Sequence, residues 1–401
     1  MLRFPFSLLL TAGCGASWML PIHWLGPLLS LLFIGLVLLQ QSRITRYLVA
    51  FSYYAAGSVG LLRGVAVFFD AHAPMWEGAF LWLGSAALLS AGWAFVDRPW
   101  KAALVLLLDA LPPLGLFDWL SPLSSAGVLF PGMGLSGLVA LGVLFLMGEG
   151  GWWLRTPKDL DTFELKLRRL AATTLLGISI LSNSLALLPR NVPQGWQGVD
   201  LDVGEAPQSI LANQTRHAAI LQEVLAASGA PDTKVVLLPE SLETDWAGNV
   251  WAIQRAIPKG QIWLVGMNVP RRPGLVTDSI VALRHQGPPR VLFNSTFPVP
   301  VSMWHPWLRG TGYTEANNVG YSAAWWTPAR NIEGIRAWAS ICYDQLLPFV
   351  WIEGVLQNPQ VILLTNNEWW AQGTGIPVIQ ANTSWAWGRL IGAPAIEAEN
   401  A

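Results

Sequence analysis

Cysteine is nearly missing from this chain: Cys14 and Cys342 are the only two among 401 residues. Cys14 falls in an apolar helical run and Cys342 deep in the second half, so the two are not expected to meet. A disulfide framework and a cysteine metal cluster are thereby excluded, and Cys342 reads as a free thiol. Charge is scarce as well, at 12% of residues, about half that of an ordinary soluble domain. The 24 basic and 25 acidic side chains nearly cancel, to a net −1. No basic field exists that would concentrate nucleic acid, and nucleic-acid binding is set aside. Internal repeats and low-complexity segments are absent, and neither a metal nor a cofactor is expected.

What is present in excess is apolar side chain, 53% of the whole, and nearly all of that excess precedes residue 190. It falls into seven runs, 5–22, 25–41, 47–69, 77–96, 102–118, 126–148 and 169–188, each bounded by Pro, Gly or charge. Crossing a bilayer takes about 20 apolar helical residues, so the runs are read as a multi-pass membrane region over residues 1–189. Run 102–118 fits least well, because Asp109, Pro112 and Pro113 interrupt it.

Charges in the connections orient these runs. Arg3 precedes the first, Arg43 and Arg46 follow the second, and Arg98 and Lys101 follow the fourth. Arg155, Lys158, Lys166, Arg168 and Arg169 lie between the sixth and seventh. The alternate connections carry Asp70 and Glu77, or Asp118, without Lys or Arg. Short basic loops stay cytoplasmic, so an odd number of crossings delivers residues 190–401 to the outside, the periplasm of a Gram-negative cell. Thr11-Ala12-Gly13-Cys14 approaches a lipoprotein cleavage box, so an uncleaved first helix and a segment cleaved at Cys14 both stay open.

From residue 190 the composition is that of a globular α/β domain, entered through a linker, Asn191–Gly204. An amphipathic helix is expected over Gln208–Ala227. Buried strands are expected at Lys234–Leu238, Gln261–Asn268, Ser279–Arg284, Arg336–Ile341 and Val361–Thr365, with a helix near Leu346–Leu356. This alternation argues a layered α/β domain. Two strand ends each present a reactive residue. In Val235-Val236-Leu237-Leu238-Pro239-Glu240-Ser241 the proline ends the ladder and leaves Glu240 at the rim. In Trp338-Ala339-Ser340-Ile341-Cys342-Tyr343-Asp344 the thiol ends a strand just before a helix, where exposed amides favour thiolate. Taken singly, the Cys reads as inert core and the Glu as a helix N-terminal acid. Together and in this order they read as a catalytic pair.

These segments resemble the nitrilase (carbon-nitrogen hydrolase) superfamily, specifically its membrane-bound branch, the apolipoprotein N-acyltransferases and the shorter conjugal transfer TraB proteins. Leu238-Pro239-Glu240-Ser241 is similar to that branch's Glu motif, Ile341-Cys342-Tyr343-Asp344 to its Cys motif, and Leu364-Thr365-Asn366-Asn367-Glu368-Trp369-Trp370 to the Asn-rich loop that follows. The resemblance implies a nitrilase-like αββα sandwich over residues 190–401, shortened at its C-terminus relative to the branch. It implies Cys342 as a nucleophile that forms a thioester and Glu240 as general base, with Asp344 or a neighbouring backbone amide helping to orient the pair. The branch's third member, a Lys that stabilises the oxyanion, aligns with Ser295 when its Val-Pro segment is matched to Val299-Pro300. Lys259, His305 and Arg309 are then the candidate substitutes for that cation.

Trp304, Trp307, Trp325, Trp326, Trp369 and Trp370 concentrate amphipathic rings near the motifs, as either core packing or a membrane interface would. Expected partners are membrane lipid, a lipidated or membrane-proximal protein substrate, and the proteins of a conjugation or pilus assembly. The functions implied are Cys-dependent acyl transfer or amide hydrolysis in plasmid transfer, a non-catalytic envelope scaffold, or lipoprotein N-acylation.

Overall fold

A computed structural model describes residues 3–68, 75–147, 162–205, 207, 209–242, 246–300, 303–304 and 320–401. The apolar runs fold as α1 (Arg3–Ala16), α2 (Leu25–Leu38), α3 (Arg43–Gly57), α4 (Leu61–Phe68), α5 (Met75–Trp93), α6 (Pro99–Asp109), α7 (Ser125–Leu129), α8 (Leu135–Met147) and α9 (Thr162–Leu185). Ser42 starts α3 with a reciprocal capping box to Thr45, which satisfies two otherwise orphaned donors. Seven uninterrupted crossings do not emerge: no single helix among the described residues is long and apolar enough to span a membrane. The run 47–69 is divided between α3 and α4, which together would be long enough but are bent by 48°. The run 126–148 is likewise split between α7 and α8. Glycines and prolines inside the apolar stretches end helices that hydropathy alone would continue. Asp70, Arg155 and Lys158 lie outside the described residues.

The second half is built from β1 (Trp196–Gly198), α10 (Ile210–Ala227), β2 (Val235–Leu237), α11 (Trp246–Ala256), β3 (Ile262–Arg272), β4 (Leu275–Arg284), β5 (Arg290–Asn294), β6 (Gly320–Tyr321), β7 (Arg330–Ile332), β8 (Ile335–Ile341), α12 (Pro348–Gln357), β9 (Val361–Asn367), α13 (Ile376–Ile391) and β10 (Ala395–Asn400). One sheet runs β1-β2-β3-β4-β5 with β6 beside β4, and the other β10-β9-β8-β7. Parallel neighbours need long crossovers, and α10, α11, α12 and α13 supply them.

Alternation along the strands sorts the side chains into layers. Val235, Leu237, Ile262 and Leu264 of the first sheet meet Ala339, Ile341, Val361 and Leu363 of the second in the space between the sheets. Val236, Trp263 and Val265 face outward onto Ile220, Val224 and Ile253 of α10 and α11. Trp338, Ile362 and Leu364 face the other way, onto Trp351 of α12 and Trp387 of α13. The result is a helix-sheet-sheet-helix sandwich. The expected linker Asn191–Gly204 is partly a strand, because β1 pairs in parallel with β2, Trp196 opposite Val235.

The helical region packs onto the sandwich through α13. The same apolar cluster that holds Trp18, Phe33, Tyr53 and Trp93 contains Trp387 and Leu390. The amides of Gly132 and Gly134 donate to the carbonyls of Arg389 and Leu390 at 2.7 and 2.8 Å, which satisfies carbonyls that the end of α13 leaves unpaired. Asn382 donates to the carbonyls of Trp18 and Leu20 at 2.8 and 2.9 Å. At Gly127 the α7 backbone touches α13 directly, since a Cβ there would stand 1.7 Å from the Ala386 carbonyl oxygen. Gly127→Val should therefore lower the thermal unfolding midpoint of the purified full chain, by an amount equivalent to about 1–3 kcal/mol of overpacking. An unchanged midpoint would mean that α7 and α13 do not meet there.

Candidate active site

Glu240 and Cys342 leave neighbouring strand ends of opposite sheets. Leu238 still donates to the Leu264 carbonyl at 2.9 Å, continuing the ladder past β2; Pro239 then ends it and Glu240 turns inward, 5% exposed. β3 passes so close that a Cβ at Gly266 would lie 2.2 Å from the Pro239 carbonyl oxygen, so only glycine fits opposite the Glu240 turn. Cys342 follows β8 and opens a short 3-10 turn, Cys342–Leu346. Both turns are strained, with φ of +45° at Ser241 and +49° at Cys342, a region that non-glycine residues enter mainly where tertiary structure enforces it.

Glu240 lies close enough to the half-buried Cys342 thiol and to the Asp278 carboxyl that each shifts the pKa of the others, while Glu240 Oε2 and Asp278 Oδ1 are buried without a hydrogen-bond partner among the described residues. The structure thus brings the two sequence-predicted residues together and adds a third that sequence reading missed. Asp278 sits on β4 opposite Asn268 of β3 and is buried, and the Ser241 hydroxyl donates to Asn268 Oδ1 at 3.3 Å beside it. The Ser295 amide donates to the Asp278 carbonyl at 2.8 Å. Ser295 is therefore the cross-strand neighbour of Asp278, and directly opposed residues share a face of the sheet. The position expected for the cation belongs to the cluster, and the residue opposite it is an acid.

Asp344 does not touch the pair. Its two carboxylate oxygens accept from the amides of Thr296, at 2.8 Å, and Phe297, at 2.7 Å, so it anchors the turn after Ser295 to the turn after Cys342. Gln345 holds the same turn from behind, donating to the Ser340 carbonyl and to Asn366 Oδ1 at 3.2 and 2.6 Å. Lys259 does not substitute for the missing cation. It is exposed before the first residue of β3, whereas the cluster meets that strand near Asn268, and strands advance about 3.3 Å per residue. His305, Arg309 and Trp307 lie outside the described residues. Of the remaining tryptophans, Trp304 and Trp325 pack around Phe297, Trp325 and Trp326 are exposed, and Trp370 packs on Phe68 of α4.

All the resolved electrostatics at the thiol push in one direction. Burial, then the charge and hydrogen bond of Glu240, then Asp278 and Glu368 drive the Cys342 thiol well above its ordinary range. Burial, then the charge and hydrogen bond of Asp278, raise Glu240 as well, opposed by its bond to the thiol. Asp278 is pushed up to about 6, by burial, and is held down by its bonds to Glu240 and Ser241. Glu240 is accordingly the member of the carboxyl pair that keeps the proton at neutral pH. The electrostatic influence runs from thiol to Glu240 and from Glu240 to Asp278, the order a proton relay would need. Among the described residues no Lys, Arg or His contributes to the field at Cys342 or Glu240.

Cys342 opens onto an apolar cavity of about 70 Å³ whose walls come from both halves of the chain, including Val65, Phe117, Trp119, Val299 and Trp370. Trp119 donates to the Tyr343 hydroxyl at 2.9 Å, and that hydroxyl donates to the Leu116 carbonyl. The residue after the nucleophile candidate is thus gripped by the segment that follows α6.

Removing a negative charge next to the thiol should favour its ionised form. Asp278→Asn should therefore raise the rate of Cys342 alkylation by iodoacetamide at pH 8 several-fold, with the pH at half-maximal rate moving down; an unshifted profile in a folded variant would contradict the relay. Ser295→Lys should move the profile the same way and further, because it adds a cation beside Asp278.

No protein-family model matches the chain. It is 31% identical to the conjugal transfer protein TraB of Agrobacterium fabrum over 99% of this chain and 93% of that protein. It is 30% identical to a probable conjugal transfer protein TraB of Sinorhizobium fredii over 89% of this chain and 88% of that one. Among solved structures, a carbon-nitrogen hydrolase from Helicobacter pylori aligns with 43% of this chain and 59% of its own at a TM-score of 0.29 and 13% identity, a likeness too distant to bear on the chemistry. The two sequence relationships run nearly end to end, and the chain belongs to the conjugal transfer protein TraB family.

Proposed function

We propose that this chain is a membrane-held component of plasmid conjugation whose sandwich domain faces the periplasm and carries out Cys342-dependent acyl transfer or amide cleavage. The observation that carries the reading is the buried Glu240 carboxyl set beside the Cys342 thiol, near enough for each to shift the other's pKa, at the mouth of an apolar cavity walled by the helical region. A nucleophile whose pocket is completed by apolar helices suits an acyl group delivered from lipid or from a lipidated, membrane-proximal protein.

In this reading Glu240 takes the thiol proton as its own proton passes to Asp278, and the sulfur attacks the acyl carbonyl. The C–O or C–N bond to the leaving group breaks, Glu240 returns a proton to that group, and a thioester remains. An amine or water, deprotonated by Glu240, then releases the acyl group and regenerates the thiol. The oxyanion formed at each step faces an acidic neighbourhood, so turnover is slow compared with a site that holds a cation there. The same observation favours one alternative, a scaffold that keeps the fold without the chemistry. Lipoprotein N-acylation, which by resemblance depends on the Lys, is disfavoured.

Membrane insertion is supported by the large apolar side chains that the helical region leaves exposed, among them Leu9, Ile44, Phe80, Leu107 and Val139 at 74%, 72%, 71%, 56% and 59%, a density unusual for a surface facing water. The Lys and Arg asymmetry of the connections supports the orientation. A reporter active only in the periplasm should work when fused after Pro189 and stay silent when fused near Lys158; the reverse result would overturn the compartment.

The chemistry has its own test. Incubation with a phospholipid or p-nitrophenyl ester acyl donor should leave a hydroxylamine-sensitive acyl adduct on the wild-type chain and none on Cys342→Ala, and that variant should lower conjugation frequency. A Cys342→Ala strain that conjugates normally, together with no adduct on the wild type, would select the scaffold.

A further inference from the structure

Behind the Cys342 turn lies a second cavity of about 280 Å³ that shares no lining residue with the first. Arg190, Arg389, Glu397 and Glu399 all line it, and no ion pair joins an arginine to a glutamate there among the described residues. The Arg190 guanidinium is half-buried and has no hydrogen-bond or ion-pair partner among the described residues. Arg389 donates to the Gly127 carbonyl at 3.4 Å and to Asn183 Oδ1 at 2.8 Å and lies 4.8 Å over the Trp385 ring. Its partners are all neutral. The arginines stand close enough that Arg190 lowers the pKa of Arg389, in addition to the effect of burial.

Two adjacent, partly desolvated cations without a carboxylate repel each other and cost stability unless an anion joins them. The acids that would neutralise them are in the same cavity and do not pair with them. Glu399 Oε1 instead accepts from Asn366 at 3.2 Å. Burial, then Glu399 and Asp200, raise Glu397, while His23 opposes them. Opposite charges held apart across one cavity match a ligand with an anion at one end and a cation at the other.

The chain next to the lining residues gives the ligand's remaining character. His23, in the wall, is flanked in sequence by Ile22 and Trp24, and Ala186 and Arg190 by Leu185, Leu187 and Leu188. These flanking side chains are 39%, 48%, 57%, 85% and 63% exposed. A water-soluble zwitterion has no use for exposed apolar side chains beside its site, whereas acyl chains do.

We propose that this cavity is a structural lipid site that binds the headgroup of a phospholipid bearing a phosphate and a primary ammonium, with the phosphate on Arg190 and Arg389 and the ammonium toward Glu397 and Glu399. Planar guanidinium forks suit phosphate oxygens. The site does not involve Cys342 chemistry, but its lipid occupant rests on the membrane reading of the helical region.

The test uses the full chain in detergent, given dioleoylphosphatidylethanolamine or dioleoylphosphatidylglycerol and read by native mass spectrometry. Arg190→Gln is the main variant, since it breaks no bond seen in the fold. It should reduce retention of both lipids roughly tenfold or more, the loss of one charge-assisted contact. The double variant Glu397→Gln, Glu399→Gln should reduce only the ethanolamine lipid. Wild-type retention in Arg190→Gln, or equal effects of the double variant on both lipids, would overturn the proposal. So would Arg190-dependent binding of soluble phosphoethanolamine without binding of the lipid. Alkaline extraction of cell membranes separates the two failures: a chain released into the soluble fraction sinks the membrane reading, and a chain that stays but ignores Arg190→Gln sinks the site.

Discussion

The geometry of the site depends on one carboxylate that does no chemistry. Asp344, buried at 1% exposure, receives the Thr296 and Phe297 amides on its two oxygens. Those amides belong to the turn that leaves β5 of one sheet, and Asp344 to the turn that leaves β8 of the other. A bidentate grip of this kind fixes two loops in position and direction, and it satisfies donors that would otherwise be buried and orphaned. Because Ser295 precedes Thr296 and Cys342 lies two residues before Asp344, the grip sets the distance between the thiol and the row Asn268, Asp278, Ser295. Glu240 reaches that row from β2, held by the close passage of β3 at Gly266. Apolar packing brings the sheets together; the carboxylate decides which ends of them face each other.

Given that frame, the charge inventory decides what the site can do. A thiol becomes a good nucleophile when neighbours stabilise its anion. Here each resolved neighbour is an acid, and burial removes the water that would screen them. The stable state is neutral thiol, protonated Glu240 and an Asp278 that titrates near 6. Such a site resists stray oxidation and alkylation at rest. It gains reactivity only when something supplies positive charge or strips negative charge, which makes the acid opposite Ser295 decisive for the thiol.

Much of this was legible in the sequence. Glu240 and Cys342 each follow a buried apolar strand, Glu240 directly after the proline that ends it, and the period-2 and helical alternation located most of the strands and helices of the sandwich. Asp278 was not legible, because the strand was read from Ser279 onward while β4 begins at Leu275; only the antiparallel register with Asn268 exposes its place. β1 and β10 escaped for a related reason. Trp196–Gly198 is too short to show a pattern, and Ala-Ile-Glu-Ala-Glu-Asn buries Ile396 and Ala398 between the sheets while carrying two acids, so its composition hides the strand. In the first half, hydropathy found where apolar chain lies but overran the helix ends, since windows average across Gly57, Gly60 and Pro131, where the backbone breaks.

The docking of α13 links these observations. A helix that only covered a sheet would present polar residues on its far side. α13 instead buries Asn382 against the carbonyls of Trp18 and Leu20 and its last carbonyls against Gly132 and Gly134. Its start, at Ile376 and Gln380, lines the Cys342 cavity, and its end, at Arg389, lines the arginine cavity. One rigid element of 16 residues thus borders both cavities and is bonded to the helical region at both ends. A shift of that region relative to the sandwich cannot widen one cavity without moving the helix that walls the other. The two halves of the chain therefore act on the thiol as one body, and the acidic site is shaped as much by the apolar helices as by the strands that carry it.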